Sequence, residues 1–401
     1  TLHLVPLFIM NPSHPQIKNI GETPATLWDQ SFVFLNLSFF LVFSNLAFLY
    51  LYPLALEAIG IEHHMVGLVL GTFSAAAVIS RPFLGKLVIL WGEFTVISLG
   101  LIMSLVASLG YLLISEFGPA MLFIRVLHGL GFSAFISAGF SLAAKTAHPD
   151  VRGEAFSIIG VSLMGAIAFA PYLGEFLIRE WGFSAIYMAA AGSVILAGFT
   201  AFKATRSVNI PAQDSKKKSV KDVQLIKDRS FVFLLVSTII FSHCQATVPN
   251  FLALISHERG VPAGRFFLVS NIMAILILLL TGKLLDRFGK LFFMRLSYPA
   301  FALGILFIPG MIDSPFHVAP AVLYGIGVAV LFSTHNALAA SHGSNIEKPA
   351  IMSLFTTVYD AGFVTGAIVS GWYAHMTSLD TLYWTCGTLG AVSYTHLTLP
   401  T

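Results

Sequence analysis

Gly85-Lys86-Leu87-Val88-Ile89-Leu90-Trp91-Gly92 and Gly282-Lys283-Leu284-Leu285-Asp286-Arg287-Phe288-Gly289 are two versions of one phrase, 197 residues apart, each following an apolar stretch. The echo continues at an offset of 196 residues. Leu127-His128-Gly129-Leu130-Gly131 is answered by Leu323-Tyr324-Gly325-Ile326-Gly327, and Leu142-Ala143-Ala144 by Leu338-Ala339-Ala340. A near-constant offset at three places means that the second half of the chain repeats the architecture of the first.

Composition places that duplication in a membrane. The chain is 56% hydrophobic and 10% charged, with 36 Phe in 401 residues, against roughly 45–50% and 25% in soluble domains. A helical span needs about 20 apolar residues. Eleven such stretches read clearly, at 31–53, 65–84, 94–115, 119–144, 154–178, 184–203, 230–254, 266–284, 291–312, 317–341 and 350–374, and a twelfth begins near Thr381. The runs are long and continuously apolar, which fits helices and not the alternating ten-residue strands of a barrel. Repeated halves in a polytopic helical protein are a construction of secondary transporters.

Charge placement predicts the orientation. With the N-terminus inside, three of the 22 Lys and Arg residues fall outside (Arg179, Arg259, Arg265), Arg125 falls within a span, and the other eighteen fall inside. The opposite topology breaks the positive-inside rule almost everywhere, so a cytoplasmic N-terminus is expected. Cys244 and Cys386 both fall in apolar spans, as packed thiols and not as a disulfide framework.

The division that follows is a cytoplasmic segment at 1–30, a six-helix bundle at 31–203, a linker at 204–229, a second bundle at 230–392 and a tail at 393–401. The linker carries Lys216-Lys217-Lys218, Lys221, Lys227 and Arg229 among three Asp residues. It reads as a solvated loop that fixes topology. Met10 opens a polar stretch and is the expected native start; residues 1–10 lack the pattern of a signal peptide. The twelfth span is apolar for about a dozen residues before Ser393-Tyr394-Thr395-His396-Leu397-Thr398. That ending resembles translated adapter sequence, so a truncated twelfth helix and a non-native tail are expected.

Twelve spans, six plus six, with a basic middle loop resemble the major facilitator superfamily. Gly282 to Lys290 is similar to the family's G-x-L-x-D-R-x-G-R/K loop between spans eight and nine. The resemblance gives Gly282, Asp286, Arg287, Gly289 and Lys290 the role of a conformational latch. The first-half copy, Arg81, Gly85 and Gly92, departs from the pattern, with Ile89 in the place of the acid and Glu93 in that of a base. Arg125 with Gly129 and Gly131 resembles the family's R-x-x-x-G-x-G phrase in span four. Gly160, Gly165, Pro171 and Gly174 loosely resemble the fifth-span pattern of exporters, although Ala170 replaces a usual Gly. Small residues at such spacing are first of all packing devices.

An ionised group inside the bilayer costs roughly 2.5–3.5 kcal/mol on insertion scales, so each one needs a reason. Asp360, in Tyr359-Asp360-Ala361-Gly362, is the acid nearest the centre of a span. Burial disfavours its charged form, which suits a proton carrier; a structural helix–helix pairing is the other reading. Arg125 is either a structural ion-pair member, with Glu175 as a partner, or a group for an anionic substrate. His128 lies one turn on. His243 and Gln245 fall mid-span in helix seven, and His335 and Asn336 in helix ten. A lone buried His is usually a hydrogen-bonding residue. The resemblance nonetheless implies that helices one, four, seven and ten surround a cavity, which makes Asn45, Arg125, His243, Gln245, His335 and Asn336 its candidate lining.

No nucleophile site or phosphate-binding loop is present and the His residues are scattered without the spacing of a metal site, so no enzyme activity, cofactor, metal or nucleic-acid partner is expected. The resemblance implies a monomeric transporter of the bacterial cytoplasmic (inner) membrane, driven by a proton or other ion gradient. Proton-coupled export of a small amphiphilic molecule is the favoured expectation. Uptake or facilitated diffusion of a metabolite or organic anion is the alternative, and a non-transporting sensor or scaffold the remote one.

Overall fold

The computed structural model describes residues 29–114, 116–146, 152–206, 229–288, 290–343 and 347–398. All regular structure among them is helical. In hydrocarbon each span must satisfy its own backbone, which a helix does and a lone strand does not.

The first span, Gln30–Ala58, passes through a 3-10 turn at Leu49–Leu51. Spans two and three are one helical stretch, His63–Leu113, broken at Gly92. There φ is 79°, a left-handed conformation that glycine adopts without a Cβ clash. The fourth to eighth spans are Pro119–Thr146, Arg152–Trp181, Phe183–Arg206, Arg229–Glu258 and Gly264–Phe288. The ninth is Lys290–Leu306 with a short continuation at Ile308–Met311. The tenth and eleventh are Val318–Ala339 and Lys348–Met376. The twelfth, Leu379–Thr398, is helical for 20 residues and is longer than its dozen clearly apolar positions suggest. Residues 207–228, most of the linker, lie outside the described residues, as do 1–28 and the last residues of the tail.

The internal repeat is visible as packing. A methyl on Gly129 would strike the Phe73 carbonyl of span two, and one on Gly325 the Ser270 carbonyl of span eight. A Cβ on Gly131 would lie 2.7 Å from the Gly100 carbonyl of span three, and one on Gly327 2.5 Å from Phe301 of span nine. Each partner pair, like each glycine pair, is about one repeat apart in sequence. The echoed G-x-G phrases therefore let the fourth and tenth helices sit directly on the backbones of their neighbours.

Successive spans run in opposite directions, so the N-terminal face, where Gln30, the turn at Gly92, Arg206 and Arg229 lie, is opposite the far face, which carries the turns at Gly60, Gly182 and Gly260. On the far side one apolar core joins both halves, with Leu51, Tyr52, Val66 and Tyr111 from the first half and Val248, Phe251, Phe266 and Ala374 from the second. Toward the N-terminal face the cores are separate. Phe32, Phe39, Ile97 and Phe135 belong to the first half alone, and Phe231, Leu234, Ile351 and Phe355 to the second alone. The halves are closed against each other on the far face and parted on the N-terminal face.

Two helix pairs make that closure. Spans two and eleven touch through backbone: a Cβ on Gly67 would lie 2.6 Å from the Ala367 carbonyl and 2.8 Å from Gly371 Cα. Spans five and eight meet at Gly264, where an added Cβ would lie 2.6 Å from Tyr172 Cα and 2.7 Å from Glu175 Oε2, with the Ala263 and Gly264 amides favouring the Glu175 carboxylate. These amides open a helix, where a carboxylate is favoured by both hydrogen bonding and the helix dipole. Glu175 therefore has this role and does not pair with Arg125. Glu57 and His257 add a contact across the halves at 3.4 Å.

Candidate functional site

In the first half, span four carries Arg125, 4% exposed, into a shell of polar and aromatic groups. Its Nε donates to the Val69 carbonyl at 3.1 Å and its Nη1 to Tyr111 Oη at 3.3 Å. The guanidinium also lies over the rings of Phe73 and Tyr52, at 5.0 and 5.5 Å from their centroids, a favourable arrangement for a desolvated cation. Among the described residues no carboxylate pairs with it.

The chain of hydrogen bonds continues from Arg125 in one direction. Tyr111 Oη meets His128 Nδ1 at 3.1 Å, His128 Nε2 meets Asn45 Oδ1 at 2.8 Å, and Asn45 Nδ2 donates to Ser108 Oγ at 2.8 Å and to the Ala190 carbonyl at 3.0 Å. Asn45 Oδ1 only accepts, so His128 carries its proton on Nε2 and takes the Tyr111 O–H on Nδ1. His128 is thereby a neutral imidazole. Asn45 and Arg125, expected to line one cavity, are linked by way of Tyr111 and His128, and Asn45, 1% exposed, is consumed by the network.

In the second half, His335 belongs to a separate buried cluster. Its Nδ1 donates to the Leu331 carbonyl at 2.7 Å, while Nε2 faces Tyr298 Oη at 2.9 Å and Ser237 Oγ at 3.2 Å. Phe241 stacks on its ring at 5.3 Å. At 1% exposure His335 packs the bundle in this conformation and does not line a space. Asn336 donates to the Phe332 carbonyl of its own helix at 2.8 Å. His243 Nδ1 meets Thr365 Oγ1 of span eleven at 3.1 Å. Gln245 accepts the Tyr359 hydroxyl at 2.8 Å, and its backbone carbonyl accepts that of Tyr324 at 3.1 Å. His243 and Gln245 are half-buried and, with Tyr359, lie where spans seven and eleven meet. Cys244 and Cys386 are buried thiols, Cys244 Sγ donating to the Cys386 carbonyl at 3.3 Å.

Next to Tyr359, Asp360 ion-pairs with Arg81 of span two. The acid is therefore not isolated, as its surroundings in the sequence suggested. Its partner comes from the other half, from the residue the sequence assigned to the loop phrase. Arg81 lies eleven residues before the Gly92 turn, inside the helix, so it is a cation of the span itself and not of the loop. The Asp360 side chain is 14% exposed and that of Arg81 36%.

The remaining loop residues divide. Gly85 is exposed on span two, and Gly92 makes the turn. Glu93, buried, accepts the Ser141 hydroxyl at 2.8 Å and pairs with Lys145, so the first-half loop is tied to span four by a residue that replaces the family's base. Gly282, Asp286 and Arg287 lie on the backbone of span eight and Lys290 opens span nine. Their side chains, and Gly289, lie outside the described residues.

The family model of the Major Facilitator Superfamily matches residues 32–367 and, in a second register, 267–400. The chain belongs to the major facilitator superfamily. It is a multi-pass membrane protein and a secondary transporter, in a family of transporters and not of enzymes. The staphylopine export protein of Staphylococcus aureus (strain Mu50) is 21% identical over 84% of this chain and 87% of that protein. The uncharacterized MFS-type transporter YwoD of Bacillus subtilis (strain 168) is 28% identical over 36% of this chain and 32% of its own length. Among solved structures, a point mutant of the nucleoside transporter NupG covers 92% of this chain and 98% of its own at a TM-score of 0.77 and 15% identity. The inward open conformation of the E. coli xylose transporter XylE covers 91% and 94% at a TM-score of 0.72 and 13% identity. At such identities these two likenesses speak for the fold alone.

Sequence reasoning missed Tyr111, Tyr298 and Ser237, because hydroxyls in an apolar run look like ordinary packing. It also missed Arg81 as the partner of Asp360. The one available signal was that Arg81 precedes the loop glycines by four residues and so still belongs to the apolar stretch.

Proposed function

We propose that this transporter exports a small amphiphilic molecule in exchange for protons, with Asp360 as the proton carrier. The observation that carries the reading is the Arg81–Asp360 pair between the two halves. Protonation of Asp360 removes the charge that holds Arg81, and the pair joins the same two helices, spans two and eleven, whose contact must open for the halves to rock. The conformation fits the sequence of steps. With the N-terminal face inside, as the charge distribution favours, the parted face opens to the cytoplasm, and an ionised Asp360 is the form that has already released its proton there. Substrate enters next and displaces Arg81 from the carboxylate, the halves rock, and a proton taken up outside neutralises Asp360 so that the emptied carrier returns without the pair.

Export over uptake draws support from the exporter among the relatives. The half-buried His243 and Gln245, set among apolar helices, offer few polar contacts, which suits an amphiphile better than a sugar. Asp286 and its neighbours serve as a latch on the N-terminal face in the opposite conformation. The protein works as a monomer in a bacterial cytoplasmic membrane.

A second reading is uptake or facilitated diffusion of an organic anion. It is favoured by Arg125, a buried guanidinium with no carboxylate partner among the described residues. Inverted membrane vesicles with a preformed inside-acid gradient separate the two. Lipophilic cations and neutral amphiphiles that dissipate the gradient only when the protein is present support proton-coupled export. Dissipation by none of them, with saturable gradient-independent flux of organic anions, supports the second reading.

A further inference from the structure

Spacing in the sequence hides a cluster that the fold assembles on the far face. Glu62 and His64 open span two, and His375 lies in the last turn of span eleven. One donor atom from each of the three lies within 4.8 Å of the others. His64 Nδ1 is 3.4 Å from Glu62 Oε2, His375 Nε2 is 3.8 Å from the same oxygen, and the two imidazoles face each other at 4.3 Å between centroids. His64 Nδ1 is shut away from solvent and makes no hydrogen bond. Trp372 covers the other part of that ring at 5.1 Å.

Two imidazoles and one carboxylate are a common donor set for zinc, leaving a position for water. Bonds of about 2.0–2.2 Å in a tetrahedral arrangement place donors somewhat over 3 Å apart. The Glu62–His64 spacing already meets this, and His375, exposed at the rim, reaches it by a small rotation. Glu62 and His375 are open to solvent on the far face, so the ion has an entry path that does not pass through the transport route.

We propose that Glu62, His64 and His375 form a transition-metal site that exists only while the far face is closed, so that a bound ion holds this conformation. Glu62 and His64 belong to the first half and His375 to the second. They are brought together by the contact one turn deeper, where Gly67 lies on Gly371. Rocking that opens the far face separates His375 from the other two ligands. An ion that needs all three binds the closed state more tightly and shifts the population toward it. Zinc in the outside solution therefore acts as a staple and slows the cycle. This inference rests on the fold and the two-half geometry and is independent of the export reading.

The test uses the purified full-length protein, stripped with chelator and titrated with zinc chloride against a fluorescent zinc indicator. One zinc ion per chain is expected, with affinity reduced at least about tenfold in His64→Ala and in His375→Ala. Glu62→Gln, a change of nearly equal size at the rim, replaces either variant if it fails to fold. Spin labels at Glu116→Cys and Pro315→Cys, exposed on the far face of the two halves, then report closure. Zinc should collapse their distance distribution to its short component, and His375→Ala should abolish that effect. No zinc bound by the unaltered protein, unchanged affinity in the variants, or binding without any change in distance overturns the proposal.

Discussion

Arg81 and Asp360 form an ion pair between the second and eleventh helices, joining the two halves of the transporter within its membrane-spanning part. Removing one partner of a fully buried pair costs roughly 3–5 kcal/mol, because the other charge is left uncompensated. The cost here lies below that range, since the Arg81 side chain is 36% exposed. Thermal unfolding in detergent should show Arg81→Gln and Asp360→Asn each destabilising. The double variant should lose less than the sum of the two. Strict additivity would mean that the pair contributes nothing.

The closed far face depends on the absence of a side chain at Gly67. A methyl there meets the Ala367 carbonyl at 2.6 Å and Gly371 Cα at 2.8 Å, backbone atoms that have no rotamer to escape into. Gly67→Val should therefore push spans two and eleven apart and favour opening on the far face. Labelling of a cysteine introduced at Ala367 by a membrane-impermeant reagent should rise several-fold. Unaltered labelling would show that the contact accommodates the larger side chain without opening.

The network from Arg125 to Asn45 is a test of polar satisfaction. Tyr111→Phe removes one hydroxyl and leaves both Arg125 Nη1 and His128 Nδ1 without their partner. A buried polar group left unpaired costs about 1–3 kcal/mol. A drop in melting temperature of several degrees is expected, with Ser237→Ala smaller because His335 keeps Tyr298 and the Leu331 carbonyl. A neutral Tyr111→Phe would indicate that water replaces the hydroxyl.

Tyr359, the chain neighbour of Asp360, donates its hydroxyl to Gln245 at 2.8 Å. If span seven reports substrate occupancy to Asp360 through this bond, Tyr359→Phe should leave substrate binding within about threefold and lower the protons moved per substrate. Equal loss of binding and coupling would instead make Tyr359 part of the binding surface.

Much of the fold was legible because membrane helices are written in composition. Hydrophobic runs, the repeated loop phrase and the paired G-x-G motifs each left a local signature, and the glycines at 129, 131, 325 and 327 pack as that repetition implies. The turn at Gly92 was legible as well, since few residues adopt its φ. What the sequence withheld were partnerships between distant helices. Nothing near Asp360 in the chain points to Arg81, which is 279 residues away, nor near His64 to His375, which is 311 away. Asn45 and His335 are cavity candidates only through the family resemblance, which places helices one, four, seven and ten around one space. In this conformation they are satisfied within their own bundles.

The measurement that tests the account most directly compares two modes of flux in Asp360→Asn, reconstituted in proteoliposomes with a substrate found in the vesicle screen. An amide cannot carry the proton but keeps the shape of the side chain. The account predicts that substrate exchange without a gradient persists, while accumulation driven by a pH gradient is lost. Full gradient-driven accumulation by Asp360→Asn would contradict it and return the Arg81–Asp360 pair to a purely structural role.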